Sequence, residues 1–180
     1  LNDLEYFELP GLNVMAFQDI YPEGHQAGIS IIQNGVRVAT NGDLRLDPTP
    51  GQWQPMPKQD KRTVSKDRNE ITTWLSYPDH SRNRTGFNPI DYPDLNLTYQ
   101  VIVKGEGKNI HIVVDLDKAV PDAFVGRVGF NLELYPANLF GKSWYLDEKS
   151  GIFPRQPNGP DVKDASGDIQ PVPLATGKRL

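Results

Sequence analysis

The stretch NLTYQVIVKGEGKNIHIVVDL, residues 96–116, decides the fold class of this chain. Apolar and polar residues alternate along both halves, and the short glycine-bearing link GEGK joins them. Alternation is the period of a half-buried strand, and a short link brings two strands together antiparallel. We therefore predict that residues 99–104 pair with residues 109–114. The apolar phase of these strands and of the next one predicts six core residues: Val101, Val103, Ile112, Val114, Phe130 and Leu132.

Further strands are predicted on both sides of this hairpin. Asn34-Gly35 lies between two β-branched runs, which is a strong hairpin signal because both residues accept positive φ. A second pair, Asn41-Gly42, precedes residues 43–46, which we expect to return as another short strand. Pro136 should end a strand because it removes a backbone donor. The remaining predicted elements are strands at 12–18, 28–34, 36–40, 70–77 and 128–135, and a helical turn at 122–125.

The pattern as a whole predicts an all-β protein. Proline and glycine number 16 each in 180 residues, and long loops rich in both cover residues 47–58, 78–95 and 147–180. No segment keeps a helical period, so we expect one antiparallel β-sandwich over residues 1–180, either immunoglobulin-like or a portion of a galactose-mutarotase-like supersandwich. The chain starts at Leu1 and ends in LATGKRL, so we expect a piece of a longer polypeptide.

Composition argues against several classes of function. The net charge of −4 does not suit a nucleic-acid binder, which needs surplus lysine and arginine. Cysteine is absent, which excludes thiolate metal sites and cysteine nucleophiles. No apolar run approaches the ~20 residues of a membrane span. His111 and Asp115 share one strand face, but two ligands do not make a metal site. We expect no metal, no cofactor and no catalytic residue in this chain.

The large aromatic side chains support two interpretations. Aromatics at the ends of strands can close the core of a sandwich, and we predict that Phe140, Trp144 and Tyr145 cap its rim in this way. Aromatics in polar loops can instead stack on the flat C–H faces of sugars, as in RNRTGFNPIDYPD at residues 82–94. The candidate carbohydrate-binding residues are Trp53, Phe87, Tyr92, Trp144 and Tyr145.

Four runs of the sequence resemble a known family. They are FELPGLNVMAF (7–17), NGVRVATNGDLRLDPTPGQWQPMP (34–57), VGRVGFNLELYPANLFGKSWYLD (125–147) and GIFPRQPNGP (151–160). They resemble the N-terminal β-sandwich region of bacterial glycoside hydrolases, closest to the cellulase-like members of family nine. The resemblance implies an exported protein, periplasmic or extracellular, in which an accessory β domain precedes a separate helical catalytic domain. None of the family's catalytic acidic motifs has a counterpart here.

Three hypotheses about function follow. The first is an accessory module of a polysaccharide-degrading glycoside hydrolase, with carbohydrate and its own catalytic domain as partners. The second is a sugar-active enzyme with an aldose-epimerase-like sandwich, which should place His80 or His111 beside a carboxylate in a concave pocket. The third is a purely structural interaction domain, which should bury its aromatics or present them to a neighbouring domain.

Overall fold

The computed structural model describes residues 1–18, 28–46, 57–79, 95–153, 162–163, 166 and 169–170, and within them the chain is almost entirely β. The strands of the two large sheets are β1 (Phe7–Leu9), β2 (Leu12–Ala16), β3 (Ile29–Gln33), β4 (Val36–Leu46), β5 (Lys58–Ser65), β6 (Glu70–Tyr77), β7 (Leu97–Glu106), β8 (Asn109–Leu116) and β9 (Val128–Leu134). The smaller elements are a 3₁₀ turn (Asp122–Phe124), α1 (Pro136–Leu139), β10 (Ser143–Leu146), β11 (Lys149–Ile152), β12 (Val162–Lys163) and β13 (Ile169–Gln170).

Two antiparallel sheets face each other. The first has the order β1-β2-β3-β4-β9 and the second the order β5-β6-β7-β8. Each sheet is a meander except at one point, where the chain leaves β4, builds the whole second sheet and returns as β9. Strands β10 and β11 form a separate two-stranded sheet, as do β12 and β13. This arrangement confirms the predicted all-β sandwich.

The core lies between the two sheets. The first sheet contributes Phe7, Val14, Ala16, Ile29, Leu44 and Leu46, and the second contributes Ile71, Leu75, Tyr77, Leu97, Tyr99, Val101 and Val103. In β7 every second residue from Leu97 to Val103 is buried, as the alternation requires. Burying each of these side chains is worth roughly 1.5–3 kcal/mol, so the facing strands supply the main stabilisation.

The central hairpin is confirmed as an antiparallel pair, with residues 99–104 opposite residues 111–116. Val101 pairs with Val114 and Val103 with Ile112, within a continuous antiparallel ladder. Val101 and Val103 are fully buried, whereas Ile112 and Val114 are half-buried and pack against the core from the sheet edge. The predicted strand at 70–77 and the helical turn after residue 121 are also confirmed.

One core prediction was wrong. Phe130 lies opposite Leu44, on the face of the first sheet that faces the core, but 40% of it remains exposed. The cause is its position on β9, the edge strand, where the facing sheet does not cover it. Leu132 is half-buried for the same reason. The phase of the strand was read correctly, but the facing layer does not extend over it.

The second Asn-Gly pair makes a bulge and not a turn. Strand β4 runs unbroken through Asn41 and Gly42 to Leu46, and its pairing with β9 shifts register between Thr40 and Asp43. Asn41 has φ of 54°, and a Cβ on Gly42 would lie 2.7 Å from Cβ of Ile29. Asparagine tolerates the positive φ at position 41, and glycine avoids the clash that a Cβ would make at position 42. The short strand expected after this pair is the second half of β4.

The predicted aromatic cap was also wrong. Strand β9 does end before Pro136, which begins α1, but Phe140 is 52% exposed and Tyr145 is 76% exposed. Trp144 is half-buried within its own hairpin, where it pairs with Gly151. Its ring atom Cζ2 lies 2.6 Å from the position that a Cβ on Gly151 would take, so the ring covers the glycine. Phe140 and Tyr145 are therefore too exposed to close the core, and Trp144 packs within the β10–β11 hairpin.

Candidate functional site

A cleft of about 630 Å³ lies on the outer face of the first sheet. Val14 and Ala16 point into the core, so Asn13 and Met15, which alternate with them on β2, point outward into this cleft. Ile32 from β3 completes the floor. The segment before β1 forms the wall through Asp3, Leu4, Glu5 and Tyr6, and Gln18 closes one end. Apolar floor residues with a polar rim are typical of a small-molecule site.

Asn2 shapes the wall of the cleft. Its Oδ1 accepts hydrogen bonds from the backbone N–H groups of Leu4, at 3.1 Å, and Tyr6, at 3.2 Å. Its own backbone N–H donates to the carbonyl oxygen of Tyr6 at 3.0 Å. The loop turns at Glu5, whose φ is 61°. Asn2 therefore satisfies the backbone donors of a tight loop, which fixes the wall without help from a ligand.

Two cations fasten this wall to the second sheet. Arg62 on β5 places Nη1 2.6 Å from Oε2 of Glu5, and its Nε donates to the carbonyl oxygen of Ala16 at 2.9 Å. Lys66 Nζ lies 2.7 Å from Oδ1 of Asp3. The hydrogen bond from Lys66 lowers the pKa of Asp3 below its ordinary value. Both carboxylates of the cleft are thus paired with a cation.

Gln18 lines the cleft beyond the end of β2. Its Nε2 donates to the carbonyl oxygen of Leu4 at 3.1 Å, which ties the end of β2 to the wall. Its Oε1 is inaccessible to solvent and has no hydrogen-bond partner among the described residues. Because this oxygen is inaccessible, it is not available as an acceptor to a ligand in the cleft.

A second cleft of about 490 Å³ adjoins the first and shares Asn13 and Ile32 with it. Its lining comes from the β1–β2 turn, with Pro10 and Gly11, and from the β3–β4 turn, with Asn34 and Gly35. Together the two clefts form one groove across the outer face of β1, β2 and β3, which we call the outer groove. An elongated ligand fits such a shape better than a compact one.

The predicted carbohydrate-binding residues are not gathered into one site. Trp53, Phe87 and Tyr92 lie outside the described residues, as does His80. Trp144 and Tyr145 are neighbours on β10 and therefore point to opposite faces of the hairpin. Tyr145 shares its face with Ile152, whereas Trp144 covers Gly151 on the other face. The two rings cannot form one flat platform.

The described residues contain no cluster of three or more histidine and carboxylate side chains that could hold a metal ion. His111 Nε2 lies 3.4 Å from Oε2 of Glu106, with both side chains about half exposed at the β7–β8 turn. Neither residue lines the outer groove. No helix in the described part of the chain is long and apolar enough to cross a membrane.

One carboxyl group has a raised pKa. Burial between the sheets raises the pKa of Asp43 to about 6, against the opposing effect of its hydrogen bond from Tyr99. Tyr99 Oη donates to Asp43 Oδ1 at 2.7 Å, and the backbone N–H of Leu44 donates to the same oxygen at 2.8 Å. Asp43 is 3% exposed and does not line the groove, so a substrate cannot reach it.

Sequence reasoning missed the outer groove. The candidates predicted from sequence were aromatic residues, mostly in polar loops, and did not include Tyr6, Asn13 or Gln18. A local signal was present in residues 2–8, NDLEYFE, where an asparagine precedes an aromatic flanked by acids. The groove forms because β2, β3 and β5 come together in the fold, and no local sequence pattern predicts that arrangement.

Comparisons of the chain with protein-family models, with curated proteins and with solved structures gave no match.

Proposed function

We propose that this chain is the accessory N-terminal β-sandwich module of an exported bacterial glycoside hydrolase that acts on polysaccharide, and that the outer groove binds a stretch of glycan. The family resemblance of the sequence supports the first part. The observation that carries the second is the composition of the groove: an aromatic ring, an apolar floor and a rim of amides and carboxylates.

Each component of the groove suits a sugar. Tyr6 can stack on the apolar face of a pyranose ring, as aromatic side chains do in polar clefts. The Asn13 side-chain amide can exchange hydrogen bonds with hydroxyls. The wall is already fixed by Asn2 and Arg62, so binding needs little ordering of the protein.

The groove is a poor catalytic site for glycoside hydrolysis. That reaction needs one carboxylic acid whose pKa is raised, so that it can protonate the leaving oxygen. In Asp3 the neighbouring Lys66 lowers the pKa, and Glu5 is engaged by Arg62. Glu8, which lines the second cleft, accepts a hydrogen bond from Asn2 Nδ2 at 3.1 Å. Binding without turnover is therefore the function that these side chains favour.

The test is retention of the chain by polysaccharides. In affinity electrophoresis through gels containing soluble β-glucans, we expect the native chain to be retarded and Asn13→Ala and Gln18→Ala to migrate faster than it. Asn131→Ala, at an exposed position on β9, is the matched control and should not change retention. Equal retention of all four proteins, or of none, would contradict the proposal. Turnover of an aryl glycoside by the chain would favour the sugar-active enzyme instead.

A second contact is favoured by the β10–β11 hairpin. Tyr145, Leu146 and Ile152 are each more than two-thirds exposed, on a sheet that pairs with no other described strand. Tyr145 and Ile152 share one face of the hairpin, and exposed apolar side chains grouped in this way mark a contact surface. We propose that this hairpin contacts the catalytic domain of the parent enzyme. In the parent enzyme, Tyr145→Ser should lower the thermal stability of the catalytic domain and leave glycan retention unchanged; reduced retention would favour the sugar-stacking role for Tyr145.

A further inference from the structure

Strand β8 leaves one edge of the second sheet open. It pairs with β7 over its full length, and among the described residues it has no neighbour on its other side. The backbone N–H of Asp117 donates to the carbonyl oxygen of Thr98 on β7. This bond fixes which residues of β8 direct their backbone groups toward β7 and which direct them away from it. Odd-numbered residues of β8 therefore turn their backbone groups toward β7, and Ile110, Ile112, Val114 and Leu116 turn theirs toward the open edge.

The other edge strands carry features that discourage pairing. β1 has three residues, and β5 has a bulge between Gln59 and Lys61 and several charged side chains. β9 pairs around the bulge of β4, and Pro136 follows one residue after its end. Such devices protect sheet edges from other chains. β8 is regular, contains no proline and no lysine, and is the one long unprotected edge among the described strands.

We propose that β8 pairs antiparallel with β8 of a second copy of this chain, forming a continuous eight-stranded sheet across a two-fold axis at Val113. In this register the open edge of β8 is complementary to itself. With the axis at Val113, His111 of one copy faces Asp115 of the other, and this pair occurs twice. On the core side, Ile112 faces Val114 and Ile110 faces Leu116, so apolar residues meet apolar residues.

The register follows from the outer face of the sheet. Val113 is 51% exposed there and lies beside the half-buried Ile102 of β7. In the proposed pair, these two residues and their counterparts form a small apolar cluster around the axis. Moving the axis by one residue in either direction would place Val113 opposite His111 or Asp115 and lose this match. Pairing would also cover the half-buried inner residues of β8.

The first experiment is sedimentation velocity at protein concentrations from about 1 µM to about 500 µM, a range that covers micromolar dissociation constants. We expect a monomer–dimer equilibrium. Val113→Lys places two lysines at the axis and should raise the dissociation constant more than about tenfold. Val36→Lys, at an exposed strand position of the other sheet, is the matched control and should leave it unchanged. Circular dichroism establishes that each variant is folded.

Charge exchange tests the register. His111→Asp sets two carboxylates against each other at both symmetric contacts and should weaken the dimer, and adding Asp115→Lys should restore it. Amide hydrogen exchange supplies an independent result: protection of Ile112 and Val114 should rise with protein concentration. A monomer at every concentration, or a dimer that Val113→Lys does not weaken, overturns the proposal. Protection of these amides that does not depend on concentration would mean that another part of the same chain covers the edge, and also overturns it.

Discussion

The β7–β8 and β10–β11 hairpins differ in how much of their surface other elements cover. In β7–β8 one face lies against the first sheet, and β7 buries Leu97, Tyr99, Val101 and Val103. In β10–β11 no sheet among the described strands covers either face, and large apolar side chains are exposed on both. Both hairpins are regular antiparallel ladders. The difference between them is therefore not in the strands but in whether a second layer lies opposite.

This contrast explains where hydrophobic alternation fails as a guide to burial. Alternation states which residues share a face, and a face becomes core only when another element covers it. A two-stranded hairpin alone is marginally stable in water, so β10–β11 depends on contacts such as the Trp144 ring over Gly151.

The largest effect is expected from matched leucine truncations. Leu97 is 1% exposed in β7, and Leu146 is 68% exposed in β10. Leu97→Ala should lower the free energy of unfolding by about 3–5 kcal/mol, because it leaves a cavity between the sheets. Leu146→Ala should change it by less than about 0.5 kcal/mol. Urea denaturation of the two variants measures both values; similar losses would break the distinction between the hairpins.

The covered hairpin should also give stability a dependence on pH. Tyr99 of β7 bonds to Asp43, whose pKa is about 6 in the folded protein against an ordinary 3.8. The folded state therefore holds the proton more tightly, and this contribution is present at low pH and lost as pH rises from about 4 through about 6. A shift of roughly two units corresponds to about 3 kcal/mol.

The measurement is the difference in unfolding free energy between the native chain and Asp43→Asn. Between pH 4 and pH 7, the native chain should lose up to about 3 kcal/mol of stability relative to the variant. Groups that titrate alike in both proteins cancel in this difference. A difference that stays constant with pH would show that Asp43 does not titrate in this window.

In the exposed hairpin, a smaller effect is expected at the glycine beneath the tryptophan. Gly151→Ala introduces a Cβ 2.6 Å from Cζ2 of Trp144, so the ring must move off the strand. We expect a loss of about 1–2 kcal/mol for the hairpin and a shift of Trp144 fluorescence to longer wavelength. Subtracting the spectrum of Trp144→Phe isolates that ring. An unchanged spectrum would mean that the ring does not lie on Gly151.

The smallest effect is expected at Phe130, whose exposed fraction lies between that of Leu97 and that of Leu146. It shares the core-facing side of the first sheet with Leu44 but is partly exposed at the edge. Phe130→Ala should cost under about 1 kcal/mol, whereas Leu44→Ala should cost about 3 kcal/mol or more. Thermal unfolding of both variants measures the effect. A cost at Phe130 equal to that at Leu44 would show that something covers β9 in solution.

Much of the fold could be predicted from local pattern. The β7–β8 pairing followed from alternation and a short turn, and the β3–β4 turn followed from Asn34-Gly35. Strand β5 was missed because its sequence, KQDKRTVS, is polar on an edge where little is buried. The exposure of Phe130, Phe140 and Tyr145 could not be predicted, because it depends on which layers meet and not on the strands themselves.

The candidate site was less predictable than the fold. The outer groove joins residues near the start of the chain to β3, and Arg62 from the other sheet holds its wall. Each of these contacts crosses long stretches of sequence. Predicted site residues such as Trp53 lie outside the described residues, and their proposed role in carbohydrate binding stays a prediction.

The crossover between β4 and β9 has a consequence for how the protein is made. During synthesis β4 emerges early, but its neighbour β9 follows only after every strand of the second sheet. Pairs so distant in sequence form late, because closing the chain between them costs entropy first. The nascent polypeptide would therefore expose the β4 edge, with Leu44 and Leu46, from the time that β4 emerges until β9 has been made. Chaperone dependence and aggregation of truncated chains should both concentrate on that interval, before Leu134 leaves the ribosome.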